Sequence, residues 1–317
     1  MADPPLASVI ICTRDRADSL RHTLLALRAC RHPESLRAEL VIVDNGSRDD
    51  TAAVAQAVVL PGWDRHFVHE PSPGQARARN RGLAHARGRV LLFLDDDVRP
   101  SANWLEGMCE PLLAGTADAV AGGVRLAPEL ERPWMTRLHR TWLAATDFLD
   151  PTAPIEMVGA NMAFARHVLD RVPAFDPELG PGGPYGQSDD SLFSWQLREA
   201  GFRLRGVLHV TVDHHFDRAR LLRTSFHRAA RHRGRTLAYL AHHWRHEELA
   251  WARLRRVRLT LRLLRRRLAD LPSWRQREGM PVWEMETLER IAFLRQWPKE
   301  RRRPRHYAPR GLARLRP

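Results

Sequence analysis

The sequence predicts an α/β fold built on a mostly parallel sheet that helices cover on both faces. Two observations lead to this prediction. Short β-branched runs alternate with segments of helical spacing through the first third of the 317-residue chain. The strand-like runs are uniformly apolar, which is typical of strands buried on both faces.

The elements of this first third follow one another at short intervals. In chain order we predict a strand at 7–13, a helix at 18–30, a strand at 39–44, a helix at 49–58, a strand at 65–70, a helix at 74–86, a strand at 88–96, a helix at 101–115 and a strand at 117–126. Beyond Pro128 the pattern loosens. A strand followed by a helix is expected within 158–172, and a further helix begins near Asp189, with a strand after it.

Polar clusters follow four of these strands. They are Thr13–Asp15, Asp44–Asn45, Glu70–Gly74 and Asp95–Asp97. Ligands of such sheets bind beyond the carboxyl ends of the strands, so this topology would gather the clusters on one rim. Alternate residues of an extended segment point the same way, so Asp95 and Asp97 could hold a divalent cation together, with Asp96 turned aside. A solvated turn with helix-capping aspartates is the alternative.

Two later features carry the same kind of chemistry. Asp189-Asp190 follows the glycine-rich segment 180–188 and opens a helix, which fits either a general base or compensation of the helix dipole. His214-His215 follows a predicted strand, where adjacent side chains face opposite ways. At most one of these histidines is expected to reach a metal shared with the aspartates, and a structural role is the alternative.

Five segments in order resemble the family 2 glycosyltransferases of the GT-A fold. The segments are SVIICTRDRADSLRHTLLAL, ELVIVDNGSRDDT, GQARARNRGLAHARGRVLLFLDDDVRP, VGANMAFAR and SDDSLFSWQLREAGFRL, within about 7–216. The resemblance implies a Rossmann-like, mostly parallel sheet flanked by helices. It also implies an inverting transferase that moves a sugar from a nucleotide-diphosphate sugar, of UDP or dTDP type, to a hydroxyl of a glycan or lipid-linked acceptor, with Mn²⁺ or Mg²⁺ as cofactor.

The resemblance also assigns residue roles. Asp95, Asp97 and His214 would hold the metal, and Asp190 would be the catalytic base. Asp189 stands where the family has a glutamate, and a slip of one position would make Asp189 the base instead. The residues expected to bind the nucleotide sugar are Thr13, Arg14, Asp44, Arg77, Asn80, Asp96 and Asn161. A Gln-x-x-Arg-Trp element after the base is absent from the sequence, which favours limited rather than processive sugar addition.

The positive charge of the chain is concentrated in one part of it. The whole sequence carries a net charge of +14, and residues 251–317 alone hold 20 Lys and Arg against 6 Asp and Glu. We therefore expect a catalytic domain at 1–218, with a nucleotide-sugar half at about 1–125 and an acceptor half at about 126–218. A basic helical extension at 219–297 and a flexible basic tail at 298–317 would follow.

The extension contains a heptad seam within 251–271. Its apolar positions are Leu254, Val257, Leu261, Leu264, Leu268 and Leu271. Spacings of three and four residues predict a helix with one apolar stripe among arginines. The stripe could pack on the catalytic domain or a partner helix, or could bind an anionic membrane surface. Binding to nucleic acid is disfavoured because common nucleic-acid signatures are not found.

Other features bound the functional class. Cys12, Cys30 and Cys109 do not suggest a disulfide framework, and we expect a reducing, cytoplasmic location, with peripheral attachment to the inner face of the plasma membrane as an alternative. No signal peptide or membrane span is expected, and an oligomer is possible. A dinucleotide-dependent oxidoreductase would need glycines after the first strand, where CTRDRAD has none. A non-catalytic sugar- or nucleic-acid-binding protein on the same scaffold is the alternative function.

Overall fold

A central sheet organises the protein, whose computed structural model describes residues 6–33, 36–269 and 276–315. In spatial order its strands are β3 (Asp64–His69), β2 (Ala38–Asp44), β1 (Ala7–Thr13), β4 (Val90–Asp95), β7 (Asn161–Ala165), β6 (Ala119–Leu126), β8 (Leu204–His214) and β5 (Val98–Pro100). Strands β3, β2, β1 and β4 are parallel, as are β6 and β8, whereas β7 and β5 run antiparallel to their neighbours. The predicted mostly parallel α/β fold is confirmed.

Helices cover both faces of this sheet. One face packs against α1 (Ala17–Ala29), α2 (Thr51–Ala57) and α4 (Trp104–Leu113), and the other against α3 (Gln75–His85) and α6 (Asp189–Glu199). A short helix, α5 (Arg137–Trp142), lies in the Trp-rich region. In β1, Val9 and Ile11 face the first layer and Ile10 the second, and all three are fully buried. Burial on both faces is why the strand sequences are apolar throughout.

The helix expected after the strand in 158–172 is a shorter element. A 3₁₀ turn at Arg166–Asp170 takes its place. Pro173 explains the difference, because proline disfavours the helical conformation of the residue before it.

The strand register brings the predicted polar clusters to one edge. Thr13 pairs with Asp44 across β1 and β2, and Cys12 pairs with Asp95 across β1 and β4. His214, at the end of β8, lies opposite Val98 of β5. The carboxyl ends of β1, β2, β4 and β8 therefore form a single rim.

Three long helices follow the sheet: α7 (Arg223–His243), α8 (Ala252–Ala269) and α9 (Val282–Glu300). A Cβ atom at Gly234 of α7 would lie 2.1 Å from the carbonyl oxygen of Glu289 of α9, so glycine permits this close approach. Helix α8 packs through Ala252, Leu259 and Leu263.

The heptad seam of α8 does not pack on the catalytic domain, so that one of its predicted alternatives is wrong. Its five described members are between 46% and 67% exposed: Leu254, Val257, Leu261, Leu264 and Leu268. The packing face of α8 lies instead on the other side of the helix, at Leu259 and Leu263. Leu271 lies outside the described residues.

The expectation of a flexible tail at 298–317 is also wrong for the described part, which ends at residue 315. Tyr307 is only 3% exposed and donates a hydrogen bond to Asp176. Arg314 pairs with Asp176 and Glu178. Acidic partners far away in the sequence thus neutralise the basic tail and hold it on the catalytic domain. Across the described residues, no helix combines the length and the apolar character needed to cross a bilayer.

Candidate active site at the rim of the sheet

The three consecutive aspartates lie where β4 ends at the rim. Asp95 is the last residue of β4, and its side chain is 27% exposed. Asp96 and Asp97 are almost completely buried. Asp96 accepts hydrogen bonds from the Thr13 hydroxyl at 2.7 Å and from Arg16 at 2.9 Å. Its carboxylate is therefore occupied by protein groups rather than open to a ligand.

Arg16 is a site residue that the sequence analysis missed. Its two terminal nitrogens donate to Asp96 and Asp97, each at 2.9 Å. Burial raises the pKa of Asp96 to about 7, against the opposing charge of Arg16. For Asp97, burial acts in the same direction, but His214 and Arg16 outweigh it and lower the pKa. The repulsion among the aspartates is thus offset in part by this arginine.

His214 lies next to Asp97 and is equally buried. Its Nε2 is 3.4 Å from Asp97 Oδ1, and its Nδ1 is 3.1 Å from the carbonyl oxygen of Leu143. A neutral imidazole with its proton on Nδ1, donated to that carbonyl, would offer the Nε2 lone pair to a cation beside the carboxylate. Arg220 Nη1 lies 3.4 Å from the same Nε2. Two acceptor atoms so close together form a pair that suits a divalent cation.

Asp95 does not complete a compact three-ligand cluster with this pair. Among the described residues, only one trio of ligand atoms lies within 4.8 Å of one another, that of Glu39, Asp64 and His66. Arg87 donates hydrogen bonds to all three members of that trio, and Glu39 and Asp64 lie at the start of β2 and β3, at the opposite edge of the sheet from the rim. Asp97 and His214 are therefore the neighbouring rim residues that would hold a cation.

The second acidic pair is joined to the first by a buried arginine, Arg79 of α3, which the sequence analysis also missed. Arg79 Nη1 lies 2.5 Å from Asp189 Oδ2, and Nη2 lies 3.6 Å from Asp95. Although burial acts to lower the pKa of Arg79, Asp189 and Asp95 raise it. A Cβ atom at Gly159 would lie 1.8 Å from Arg79 Nη2, so the chain needs glycine there. Arg79 holds the two acidic clusters together.

Asp190 has a different environment from Asp189. Its carboxylate accepts hydrogen bonds from the backbone N–H groups of Gly159 at 2.9 Å and Ser191 at 2.8 Å. Burial, together with the neighbouring charge of Asp189, raises the pKa of Asp190 to about 6. Asp189 is committed to a buried ion pair, whereas Asp190 has no guanidinium partner among the described residues.

Three of the predicted nucleotide-sugar residues lie at the ends of β1 and β2. Thr13 is buried and donates to Asp96. The side chain of Arg14 is 45% exposed and borders the cavity described below. Asp44 is buried and accepts a hydrogen bond from the backbone of Ser47 at 3.0 Å. Its neighbour Asn45, rather than Asp44, lines that cavity.

Three other residues predicted to bind the nucleotide sugar do not line the cavity at this rim. Arg77 is exposed, on a different side of α3 from Arg79. Asn80 exchanges two 2.8 Å hydrogen bonds with the backbone of Phe175 and fastens the loop there. Asn161 is fully buried, donates to two carbonyl oxygens and accepts from Trp104. The prediction that Asn161 contacts the nucleotide sugar is wrong, because its amide is used entirely within the core.

Two adjoining cavities open at this rim. The first, here called the rim cavity, is about 270 Å³ and is lined by Thr13, Arg14, Arg16, Asn45, Gln75, Asp95, Asp96, Asp97, His214 and Arg220 among others. The second, the loop cavity, is about 510 Å³ and lies against the glycine-rich segment 180–188 and α7. Pro181, Gly182 and Arg220 line both cavities. Gly182 and Gly186 have φ near +78°, a conformation that glycine adopts without strain.

Comparison with known proteins identifies the family. The model of glycosyl transferase family 2 matches residues 8–172, which is more than half of the chain. The chain belongs to this family. The match spans β1 to the end of β7, and so includes Arg16, Arg79 and the three aspartates of the rim.

Individual relatives agree with this assignment. Glycosyltransferase AglE of Haloferax volcanii is 32% identical over 122 residues, covering 38% of this chain and 40% of the relative. A pre-mycofactocin glycosyltransferase of Mycobacterium tuberculosis is 28% identical over 221 residues, covering 65% and 42%. The chain thus spans about two fifths of the length of the curated relatives that it matches.

A solved structure supports the fold. The mannosyltransferase PcManGT of Pyrobaculum calidifontis, in complex with GDP-Man and Mn²⁺, superposes with a TM-score of 0.56 at 19% identity. The similarity covers 95% of this chain and 74% of the other. The GT-A architecture expected from the sequence is therefore confirmed.

Proposed function

We propose that this family 2 member is an inverting glycosyltransferase that uses a nucleotide-diphosphate sugar, a divalent cation and an aspartate base. The observation that carries the proposal is the pair of acidic clusters at one rim, bridged by the buried Arg79. One cluster contains the acceptor pair Asp97 and His214, and the other contains Asp190 with its raised pKa. A non-catalytic binding protein would not need both.

The rim cavity is the site for the donor diphosphate. Asp97 and His214 would hold Mn²⁺ or Mg²⁺, which supplies, when bound, positive charge for the departing phosphate. Arg16 and Arg220 line the same cavity and add fixed positive charge beside the diphosphate. The donor is a UDP- or dTDP-sugar, and Thr13, Arg14 and Asn45 border the space for its nucleoside.

Asp190 is the general base, held by the backbone N–H groups of Gly159 and Ser191. The acceptor hydroxyl oxygen forms a bond to the anomeric carbon while the bond from that carbon to the phosphate oxygen breaks. The bonding pair leaves with the nucleoside diphosphate, and the hydroxyl proton passes to Asp190. A single displacement of this kind inverts the anomeric centre. Asp189 cannot serve equally well, because its ion pair with Arg79 occupies it.

Donor turnover tests this proposal. The full chain is incubated with a panel of nucleotide sugars, with Mn²⁺, with Mg²⁺ or with a chelator, and release of nucleoside diphosphate is measured. We expect metal-dependent turnover, its loss in Asp97→Asn, and loss of turnover with retained donor binding in Asp190→Asn. Asp213→Asn is the matched control, because Asp213 adjoins His214 in sequence but pairs with Arg125 at the surface. Donor binding without metal-dependent turnover would favour the alternative function, a non-catalytic binding protein.

The acceptor is a hydroxyl of a glycan or of a lipid-linked sugar, to which one or a few sugars are added at the cytoplasmic face of the membrane.

The exposed apolar stripe of α8 binds an anionic membrane at that face. Helix α8 carries eight arginines and no acidic residue. The side chains of six of these arginines make no hydrogen bond, ion pair or ring contact with another described residue: Arg253, Arg255, Arg256, Arg258, Arg262 and Arg265. Trp251, 75% exposed, precedes the helix. Apolar side chains flanked by arginines, with a tryptophan at one end, match an interfacial helix on anionic lipid.

Vesicle binding tests this surface separately from catalysis. The full chain is sedimented with vesicles of neutral lipid and with vesicles containing anionic lipid. We expect binding only to the anionic vesicles, with loss in the double variant Leu261→Ser and Leu264→Ser. The control Leu25→Ser changes a leucine of α1 that is 37% exposed and should bind like the unaltered protein. Equal sedimentation of the two leucine variants, or dimerisation abolished by the α8 variant, would instead favour a partner helix.

A further inference from the structure

We propose that the loop cavity is the acceptor site and that its acceptor carries a phosphate group close to the reacting sugar. This inference rests on the proposed glycosyl transfer and names the chemistry of its second substrate. At about 510 Å³ the loop cavity falls within the usual size range of small-molecule sites. It shares Pro181, Gly182 and Arg220 with the rim cavity, so a ligand in it would lie beside the donor.

The charges around the loop cavity favour an anion. Its lining contains Arg220, Arg228 and His232 but no aspartate or glutamate. The side chain of Arg228 is exposed and makes no hydrogen bond or ion pair with any residue that the structure describes. The guanidinium group matches phosphate oxygens in geometry as well as in charge. A neutral glycan would leave this positive charge without a partner in the complex.

An unpaired polar atom in the cavity wall points the same way. Trp142 Nε1 is buried without a hydrogen-bond partner among the described residues, and its side chain lines the loop cavity. Burial lowers the pKa of His232, and the charges of Arg235, Arg228 and Arg231 add to this effect. A hydrogen bond with the backbone of Tyr185 opposes this shift, so the arginines act on a histidine that already has a partner. Buried polar groups of this kind are normally satisfied, and an oxygen of a phosphorylated sugar would bring the acceptor that the Trp142 N–H lacks.

The helix that carries these residues also provides a matched control. Arg228 and Arg231 are both exposed residues of α7, but only Arg228 lines the cavity. Arg228→Gln and Arg231→Gln therefore remove the same charge from the same helix. Neither change disturbs a described hydrogen bond or ion pair, so both variants should fold like the unaltered chain.

The test is a calorimetric titration of the full chain, saturated with Mn²⁺ and a nucleoside diphosphate so that the rim cavity is filled. The probes are hexose 1-phosphates, hexose 6-phosphates and the matching free hexoses, together with a polyprenyl-diphosphate sugar in neutral vesicles. We expect a phosphate-bearing probe to bind more tightly than its free hexose. Arg228→Gln should weaken that binding by about 10- to 100-fold, the usual range for a lost hydrogen bond to a charged group, whereas Arg231→Gln should stay within about twofold.

Each outcome of this titration decides the proposal. Tight binding of the soluble sugar phosphates identifies a soluble acceptor, and tight binding only in vesicles identifies a lipid headgroup. Phosphate-bearing probes that bind no better than free hexoses, or equal behaviour of the two arginine variants, would overturn the inference. If metal-dependent donor turnover persists in that case, the proposed glycosyl transfer stands and only the phosphorylated acceptor is rejected.

Discussion

Substitution of Asp190 by asparagine should stabilise the protein in a pH-dependent way while it abolishes transfer. The pKa of Asp190 is raised from its ordinary value of 3.8 to about 6, chiefly by burial and next by the charge of Asp189. The folded state therefore holds the proton more tightly than the unfolded state does. Below pH 4 the carboxyl is protonated in both the folded and the unfolded state, so it does not lower the free energy of unfolding. As the pH rises from about 4 to about 6 the native protein loses stability, because the carboxylate must be charged in a site that disfavours it.

The rise in pKa corresponds to about 3 kcal/mol. We therefore expect the stability of Asp190→Asn relative to the unaltered protein to increase by about 3 kcal/mol between pH 4 and pH 8. A hydrogen bond that asparagine fails to make with Gly159 or Ser191 would lower the stability of the variant by the same amount at pH 4 and at pH 8. The change in the stability difference between these two pH values therefore reports the charge of Asp190 alone. The assay is urea unfolding at several pH values without metal or nucleotide, with Asp213→Asn as control. A stability difference that stays constant from pH 4 to pH 8, or falls, would refute the reasoning.

Two further predictions concern stability. Arg79→Gln should lower the free energy of unfolding by about 3–5 kcal/mol, because it leaves the buried Asp189 without its partner. The double variant Arg79→Met, Asp189→Leu should recover most of that loss in the same urea experiment, and an unstable double variant would argue against the ion pair as the cause. Tyr307→Phe should lower the free energy of unfolding by about 1.5–3 kcal/mol through loss of its hydrogen bond to Asp176, whereas an unchanged value would indicate a tail that is not held on the domain.

The parts of the fold that depend on local pattern were predictable. The uniformly apolar strands predicted a parallel sheet. Because parallel strands end at the same edge, the sheet in turn predicted the rim on which Thr13, Asp44 and Asp95 meet. Arg79 could have been found as well. Ala76, Arg79 and Leu83 are spaced three and four residues apart on α3 and share its buried face, whereas Arg77 points away from it. The position of each residue around the helix axis, rather than the family motif, distinguishes Arg79 from Arg77.

Other features depend on partners that are distant in sequence. Arg16 contacts aspartates 80 and 81 positions away, and no local pattern selects it among the many arginines of the chain. The basic tail looked disordered because its acidic partners, Asp176 and Glu178, lie more than 100 residues earlier. Helix α8 has two apolar faces, and its sequence alone could not tell which of them packs on the domain.

The most direct test of the central claim is the position of the cation. Crystals of the full chain are soaked with Mn²⁺ and a nucleoside diphosphate, and the anomalous signal of manganese is mapped. We predict one strong peak in the rim cavity, in direct contact with Asp97, His214 and the diphosphate oxygens. A peak elsewhere, such as beside Glu39, Asp64 and His66, with none at Asp97, would contradict the account.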